Sequence, residues 1–209
     1  MISVFISYAS QEKHIAGSFA SCLKKYCGFQ TFLAHEDIRP SAEWEFEIHK
    51  ALRDTDFFIP LISEAFKASD FTDQETGIAI SLDAKIIPVK LERVNPYGFI
   101  NKYQALQYKV FEHGDNSKQL ALTIAQIGLS YKEYHYETIG SLLSAFKNCS
   151  SFETANAIIE VLTLYDQFTS MHLAIIKRSI KTNRQIRGAW GLPAFKKFLH
   201  DKYEFSIDD

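Results

Sequence analysis

Phe57-Phe58-Ile59-Pro60-Leu61-Ile62 is apolar at every position, with no polar residue to face solvent. A strand that reads this way is buried on both faces, as strands of a parallel sheet are. Upstream, Ile2–Ser7 is a second short apolar run rich in β-branched residues. It is followed by Ser10 as a possible cap and then by Ile15, Phe19, Cys22, Leu23 and Tyr26 at helical spacing, which Gly28 ends. Phe29–Ala34 predicts a further strand. His35–Glu43 is a polar loop containing Pro40, and Trp44, Ile48, Ala51 and Leu52 form one helical stripe. Downstream, 69–82 predicts a helix, 85–91 a fourth strand, and 104–111 a shorter fifth strand. Pro88 places the fourth strand at or near an edge. Asn116 or Ser117 then caps a helix reaching about Leu129.

Strands alternating with helices make an α/β fold with a parallel sheet covered on both faces. Five strands within about 130 residues fit a flavodoxin-like doubly wound sheet of order 2-1-3-4-5. Its ligand crevice lies beyond the carboxyl ends of the first and third strands, at Ser7–Ser10 and Ser63–Ser69. From Tyr131 the strand pattern stops. Helical stripes follow at Ile139/Leu142/Leu143/Phe146, at Ala155/Ile158/Ile159/Leu162 behind a Ser150-x-x-Glu153 capping box, and at Leu173/Ile176/Ile180 behind Thr169. A last helix opens at Pro193, with Trp190 and Phe195 expected in the core. The division expected is residues 1–130 as the α/β domain and 131–209 as a small all-α region.

Bulk composition excludes several classes. The 209 residues are 46% hydrophobic and 23% charged, with a net charge of −2, which fits neither a disordered chain nor a strongly basic nucleic-acid binder. Cys22, Cys27 and Cys149 are odd in number and scattered, as expected of reduced thiols in the cytoplasm, and no metal site is expected from their spacing. No run approaches a membrane span, and the N-terminal apolar run lacks a basic region before it. No G-x-G-x-x-G or Walker sequence follows any strand, so a nucleotide held as a resident cofactor is not expected. The seven histidines are scattered. Lys177, Arg178, Lys181, Arg184 and Arg187 read as a solvated helix face, and neither a nucleic-acid nor a membrane role is expected of them.

The stretch Ser69-Asp70-Phe71-Thr72-Asp73-Gln74-Glu75 carries the chemistry. Spacing places Phe71, Glu75, Ile78, Ala79 and Leu82 on one helix face. A carboxylate on a buried face is costly unless paired or used. Two uses stay open. Thr72-x-x-Glu75 matches a capping box, and a carboxylate in a partly dry crevice can stabilise a cation formed in a transition state.

Four motifs in order resemble a TIR (Toll/interleukin receptor) domain: Val4-Phe5-Ile6-Ser7-Tyr8, Asp37-Ile38-Arg39-Pro40-Ser41-Ala42-Glu43-Trp44, Phe58–Ser63, and Ser69-x-Phe71-x-x-x-Glu75. The last is similar to the Ser-x-Trp-x-x-x-Glu segment of TIR domains that cleave NAD+. Two positions depart from the pattern: Phe71 stands where Trp is usual, and Ser41 follows Pro40 where Gly is usual. The resemblance implies that NAD+ is a substrate, with no cofactor, and that Glu75 is catalytic. It implies substrate contacts from Tyr8, Ala9, Ser10, Asp37, Ile38, Arg39, Trp44, Ser69 and Phe71. It further implies a cytoplasmic NAD+ glycohydrolase or cyclase of bacterial antiphage defence, giving nicotinamide with ADP-ribose or a cyclic isomer, that self-associates through its TIR domains and whose nucleotide product a partner effector senses. The alternative is a non-catalytic adaptor acting by TIR–TIR assembly.

Overall fold

The computed structural model describes residues 1–33 and 44–206, with the side chain of Trp44 excepted. Two compact units emerge: Ile2–Leu23 with Phe29–Leu120, and Met1 with Lys24–Gly28 and Ala121–Asp209.

The first unit is the α/β part. Strands β1 (Ser3–Ser7), β2 (Gln30–Leu33) and β3 (Phe57–Ile62) are joined by α1 (Lys13–Cys22) and α2 (Trp44–Arg53). After β3 come the single turn α3 (Glu64–Lys67), the helix α4 (Asp70–Ser81), and the two-residue strands β4 (Lys85–Ile86), β5 (Val89–Lys90) and β6 (Leu106–Gln107). The sheet order is β2-β1-β3-β5-β6, with β4 also on β3, and all pairings are parallel. This is the doubly wound order the alternation predicts. The β1–β3 register runs from Val4↔Phe57 to Ser7↔Pro60, and β3 is buried at every residue. On one face Phe5 stacks on Phe32 and Phe58 at centroid distances of 5.2 and 5.7 Å. Ile48 and Leu52 of α2 and Ala79 of α4 close over them.

Two strand expectations are corrected. The fourth strand is not continuous over 85–91, because Pro88 splits it into β4 and β5. It does lie near an edge, since β5 is one strand in from the outermost strand, β6. Proline has no N–H for a ladder, but its carbonyl still accepts from Leu106 N–H at 2.8 Å. The fifth strand is also shorter than 104–111. Its second half leaves the sheet as β7 (Val110–Phe111), which pairs antiparallel with β8 (Gly114–Asp115). Asn116 holds that turn against β6: its Nδ2 donates to Gln107 O at 2.9 Å, and its Oδ1 accepts from Lys109 N–H at 2.7 Å.

The helix α5 (Ser117–Ser130) crosses the division between the units. The second unit is otherwise α6 (His135–Lys147), α7 (Phe152–Thr163), α8 (Ser170–Thr182), the single turn α9 (Arg184–Arg187) and α10 (Leu192–Tyr203). Its core includes Leu142, Phe146, Ile158, Leu162, Ile176 and Phe195, all fully buried. Thr169 caps α8 by accepting His172 N–H, and Pro193 lies in the first turn of α10. The α7 cap is Ser151, which accepts Thr154 N–H at 3.1 Å. Glu153 accepts instead from the Tyr26 hydroxyl at 3.3 Å, so no Ser150–Glu153 box forms. Gly28 adopts φ +68°, and a Cβ there would lie 2.2 Å from Ser141 O, so only glycine fits. Trp190 is not core: it is 71% exposed. Among the described residues no helix is long and apolar enough to cross a membrane.

Candidate active site

Beyond the carboxyl end of β1, a strand residue and a helix residue distant in sequence meet. Ser7, the last residue of β1, donates its hydroxyl to Glu75 Oε2 at 2.5 Å. Ser7 is fully buried and Glu75 is 3% exposed, and Glu75 Oε1 has no hydrogen-bond partner among the described residues. An unpaired buried carboxylate oxygen is a cost that native structures rarely carry without a use. Burial pushes the Glu75 carboxyl up to about 7, and the Ser7 hydroxyl pulls partly the other way.

The hydrogen bonds rule out the capping-box use of Glu75. Ser69 is the α4 N-cap, by backbone alone, and Thr72 lies in the first turn. The Thr72 hydroxyl shares its one proton between Phe66 O at 2.6 Å and Ser69 O at 2.8 Å, so it tethers α4 to α3 rather than accepting a cap bond. Glu75 therefore makes no capping box. It stands in the second turn, beyond the reach of most of the helix dipole. The buried stripe of α4 is Thr72, Glu75 and Ala79. The predicted face is rotated, with Phe71 47% and Leu82 43% exposed.

Phe71 lies instead at the rim of a cavity of about 150 Å³ that Glu75 floors, with Glu45, Ile48 and His49 of α2 and with Gln74 and Ile78 of α4. His49 lines this cavity although sequence spacing does not single it out. Its only signal is its place next to Ile48 on the helix facing α4. The remaining expected contacts are distributed as follows. Tyr8 is fully buried and Ser10 exposed. Ala9 N–H donates to Glu12 Oε2 at 3.0 Å. Ser69 is half-buried at the cap. None of these four lines the cavity. Asp37, Ile38 and Arg39 lie outside the described residues, as does the Trp44 side chain, although Trp44 opens α2.

A second buried carboxylate organises the neighbouring loops. Burial pushes Glu12 upward, opposed by hydrogen bonds from the Ser63 hydroxyl and Ala9 N–H. Ser63 in turn caps α3 by accepting Phe66 N–H at 2.9 Å. A chain of short contacts thus runs from the β1 loop through Glu12, Ser63 and Phe66 to Thr72, one turn before Glu75.

The TIR-domain family model matches residues 4–123, which is 120 of the 209 residues, and the chain belongs to the TIR-domain family. Among similar solved structures is the TIR domain of the Toll-related receptor TRR-2 from Hydra magnipapillata. It is 22% identical, with a TM-score of 0.45, covering 50% of this chain and 82% of that one. Another is the TIR domains of the activated Roq1 resistosome that recognises the pathogen effector XopQ. These are 15% identical, with a TM-score of 0.42, covering 78% of this chain and 98% of that one. No curated protein matches.

Proposed function

We propose that this TIR domain cleaves NAD+ at the nicotinamide–ribosyl bond, with Glu75 as the catalytic residue. The observation that carries the reading is the buried Glu75 carboxylate, whose Oε2 is held by Ser7 and whose Oε1 is unclaimed at the floor of a cavity rimmed by Phe71. Nicotinamide would leave as a neutral base, taking the bonding electron pair, and the ribosyl fragment would become oxocarbenium-like. A fixed carboxylate in a dry site stabilises that charge as it develops. The bound cation would itself draw the Glu75 proton off by favouring the ionised form. The rim ring of Phe71 would stack on a flat heterocycle. Water capturing C1′ and losing a proton gives ADP-ribose; an adenine nitrogen capturing it gives a cyclic isomer.

The TIR resemblance extends the proposal. The reaction would serve antiphage defence in the cytoplasm, where self-association through TIR domains completes the site and the nucleotide product reaches a partner effector. Asp37, Ile38, Arg39 and Trp44 would contribute from the loop before α2.

The test is nicotinamide release from NAD+ by the full chain, concentrated under crowding, beside Glu75→Gln. Release by the wild type and a loss of at least 100-fold in the variant are expected, on the scale of removing a transition-state charge partner. Equal silence of both proteins when assembled sinks the enzyme and leaves the adaptor.

A further inference from the structure

The second unit carries a surface that NAD+ cleavage does not use. Between Asp166 and Asp201 the sequence has seven lysines and arginines and no acid. Arg178, Lys181, Arg184 and Arg187 are all exposed, and among the described residues none has a carboxylate partner. The fold adds to this strip from elsewhere in the chain. Asn183, between α8 and α9, donates its Nδ2 to Lys147 O at 3.1 Å and to Cys149 O at 2.9 Å, which brings exposed Lys147 beside the strip. Arg187 Nη1 donates to Lys181 O at 2.5 Å, folding one cation back over the other's turn. At the same α6–α7 turn, Lys24, Lys25, Asn148 and Ser150 line a cavity of about 300 Å³.

Aromatic rings flank these cations. Trp190 is 71% exposed and Phe152 44% exposed. The Phe152 ring lies on Gly188, two residues before Trp190: a Cβ on Gly188 would fall 2.3 Å from it. Both rings therefore border the Arg184–Arg187 turn. The nearby acid, Glu153, is engaged by the Tyr26 hydroxyl. Holding several cations together unneutralised, beside an exposed tryptophan, costs electrostatic and hydrophobic free energy that a polyanion with flat groups would recover.

We infer that this face binds single-stranded nucleic acid, through the phosphate backbone on Lys147, Lys181, Arg184 and Arg187 and through base stacking on Trp190 and Phe152. Arginine's planar fork matches phosphate oxygens, and aromatic platforms beside a basic track are how single strands are held without sequence preference. An acidic peptide would use the cations but leave the rings idle. An anionic membrane would want bulky aliphatic side chains beside the cations. The exposed Leu164 and Met171 instead lie at the far ends of α7 and α8, about 18 Å from Phe152 and about 15 Å from Lys181 along helices of 12 and 13 residues.

The test is fluorescence anisotropy of the full chain with labelled oligothymidylate and oligouridylate, longer than the roughly 4–16 nucleotides of one single-strand site. Phosphatidylserine vesicles and polyglutamate serve as competing probes. With four cations engaged, the logarithmic slope of affinity against salt should be about −3. Combined Lys181→Glu, Arg184→Glu and Arg187→Glu should abolish binding. Trp190→Ala, which removes an exposed ring and spares the fold, should weaken it about tenfold at unchanged slope. The inference is overturned by absence of oligonucleotide binding at about 50 mM salt, by preference for vesicles or polyglutamate, or by a triple variant that stays folded and binds like the wild type. None of these outcomes depends on nicotinamide release.

Discussion

The Ser7 hydroxyl and the Glu75 carboxylate, 68 residues apart in sequence, share a 2.5 Å hydrogen bond at the carboxyl end of the first strand. It is the joint between the sheet and the candidate catalytic helix, and it opposes the upward push that burial gives this carboxyl.

Stability should fall as pH rises through neutrality. Burial lifts the Glu75 carboxyl from 4.5 to about 7, so the folded chain binds this proton more tightly than the unfolded chain. The resulting stabilisation is complete below about 4.5 and is lost as pH climbs through about 7. It is on the order of 3 kcal/mol, from 1.36 kcal/mol per unit. Urea titrations at pH 4.5 to 8 should show this slope in the wild type and its loss in Glu75→Gln. The same slope in both proteins would assign it to another group.

Ser7→Ala should raise the Glu75 midpoint further, because the hydroxyl is what holds it down. Carboxyl ¹³C NMR titration reads this directly. A midpoint that stays put would mean the hydrogen bond does not form in solution.

Phe71 separates function from stability. At 47% exposed it contributes little to the core, so Phe71→Ala should cost under about 1 kcal/mol. The same change should raise the KM for NAD+ by about tenfold through lost stacking, and Phe71→Trp should keep or improve it. A large loss of stability with unchanged KM would make Phe71 a packing residue.

Two glycines should respond oppositely to alanine. Gly28→Ala forces a side chain into the left-handed region and against Ser141 O, for a loss of about 2–4 kcal/mol. Gly17 lies within α1 with nothing within 4 Å of a Cβ, so Gly17→Ala should gain up to about 1 kcal/mol. Thermal melts of both variants settle the pair.

The sheet is legible in the sequence because buried parallel strands leave an unbroken apolar signature, clearest at Phe57–Ile62. The order that places Glu75 beside β1 follows from the alternation. Side-chain bonding is less legible. Thr72-x-x-Glu75 has the spacing of a capping box, but Phe66 O, fixed by the α3 turn, competes for the Thr72 hydroxyl and wins. Ser7 reads as an ordinary strand end, since nothing local announces a partner 68 positions away. Pro88 signals a strand near the edge correctly, but not that the strand divides into β4 and β5 around it. Trp190 has the composition of a core residue. Ala189 and Leu192 take the buried positions around it, a choice set by how α9 meets α7.

The Asn116 side chain has a consequence for assembly. By donating to Gln107 O and accepting from Lys109 N–H, it imitates the backbone of an absent neighbouring strand along the outermost strand of the sheet. An edge satisfied in this way, only two residues long and leading into its own hairpin, offers little for another chain to pair with. The growth of a continuous sheet from one molecule to the next is closed off at this edge from within, so copies of this protein that associate would have to do so at the opposite edge, β2, or through side-chain surfaces.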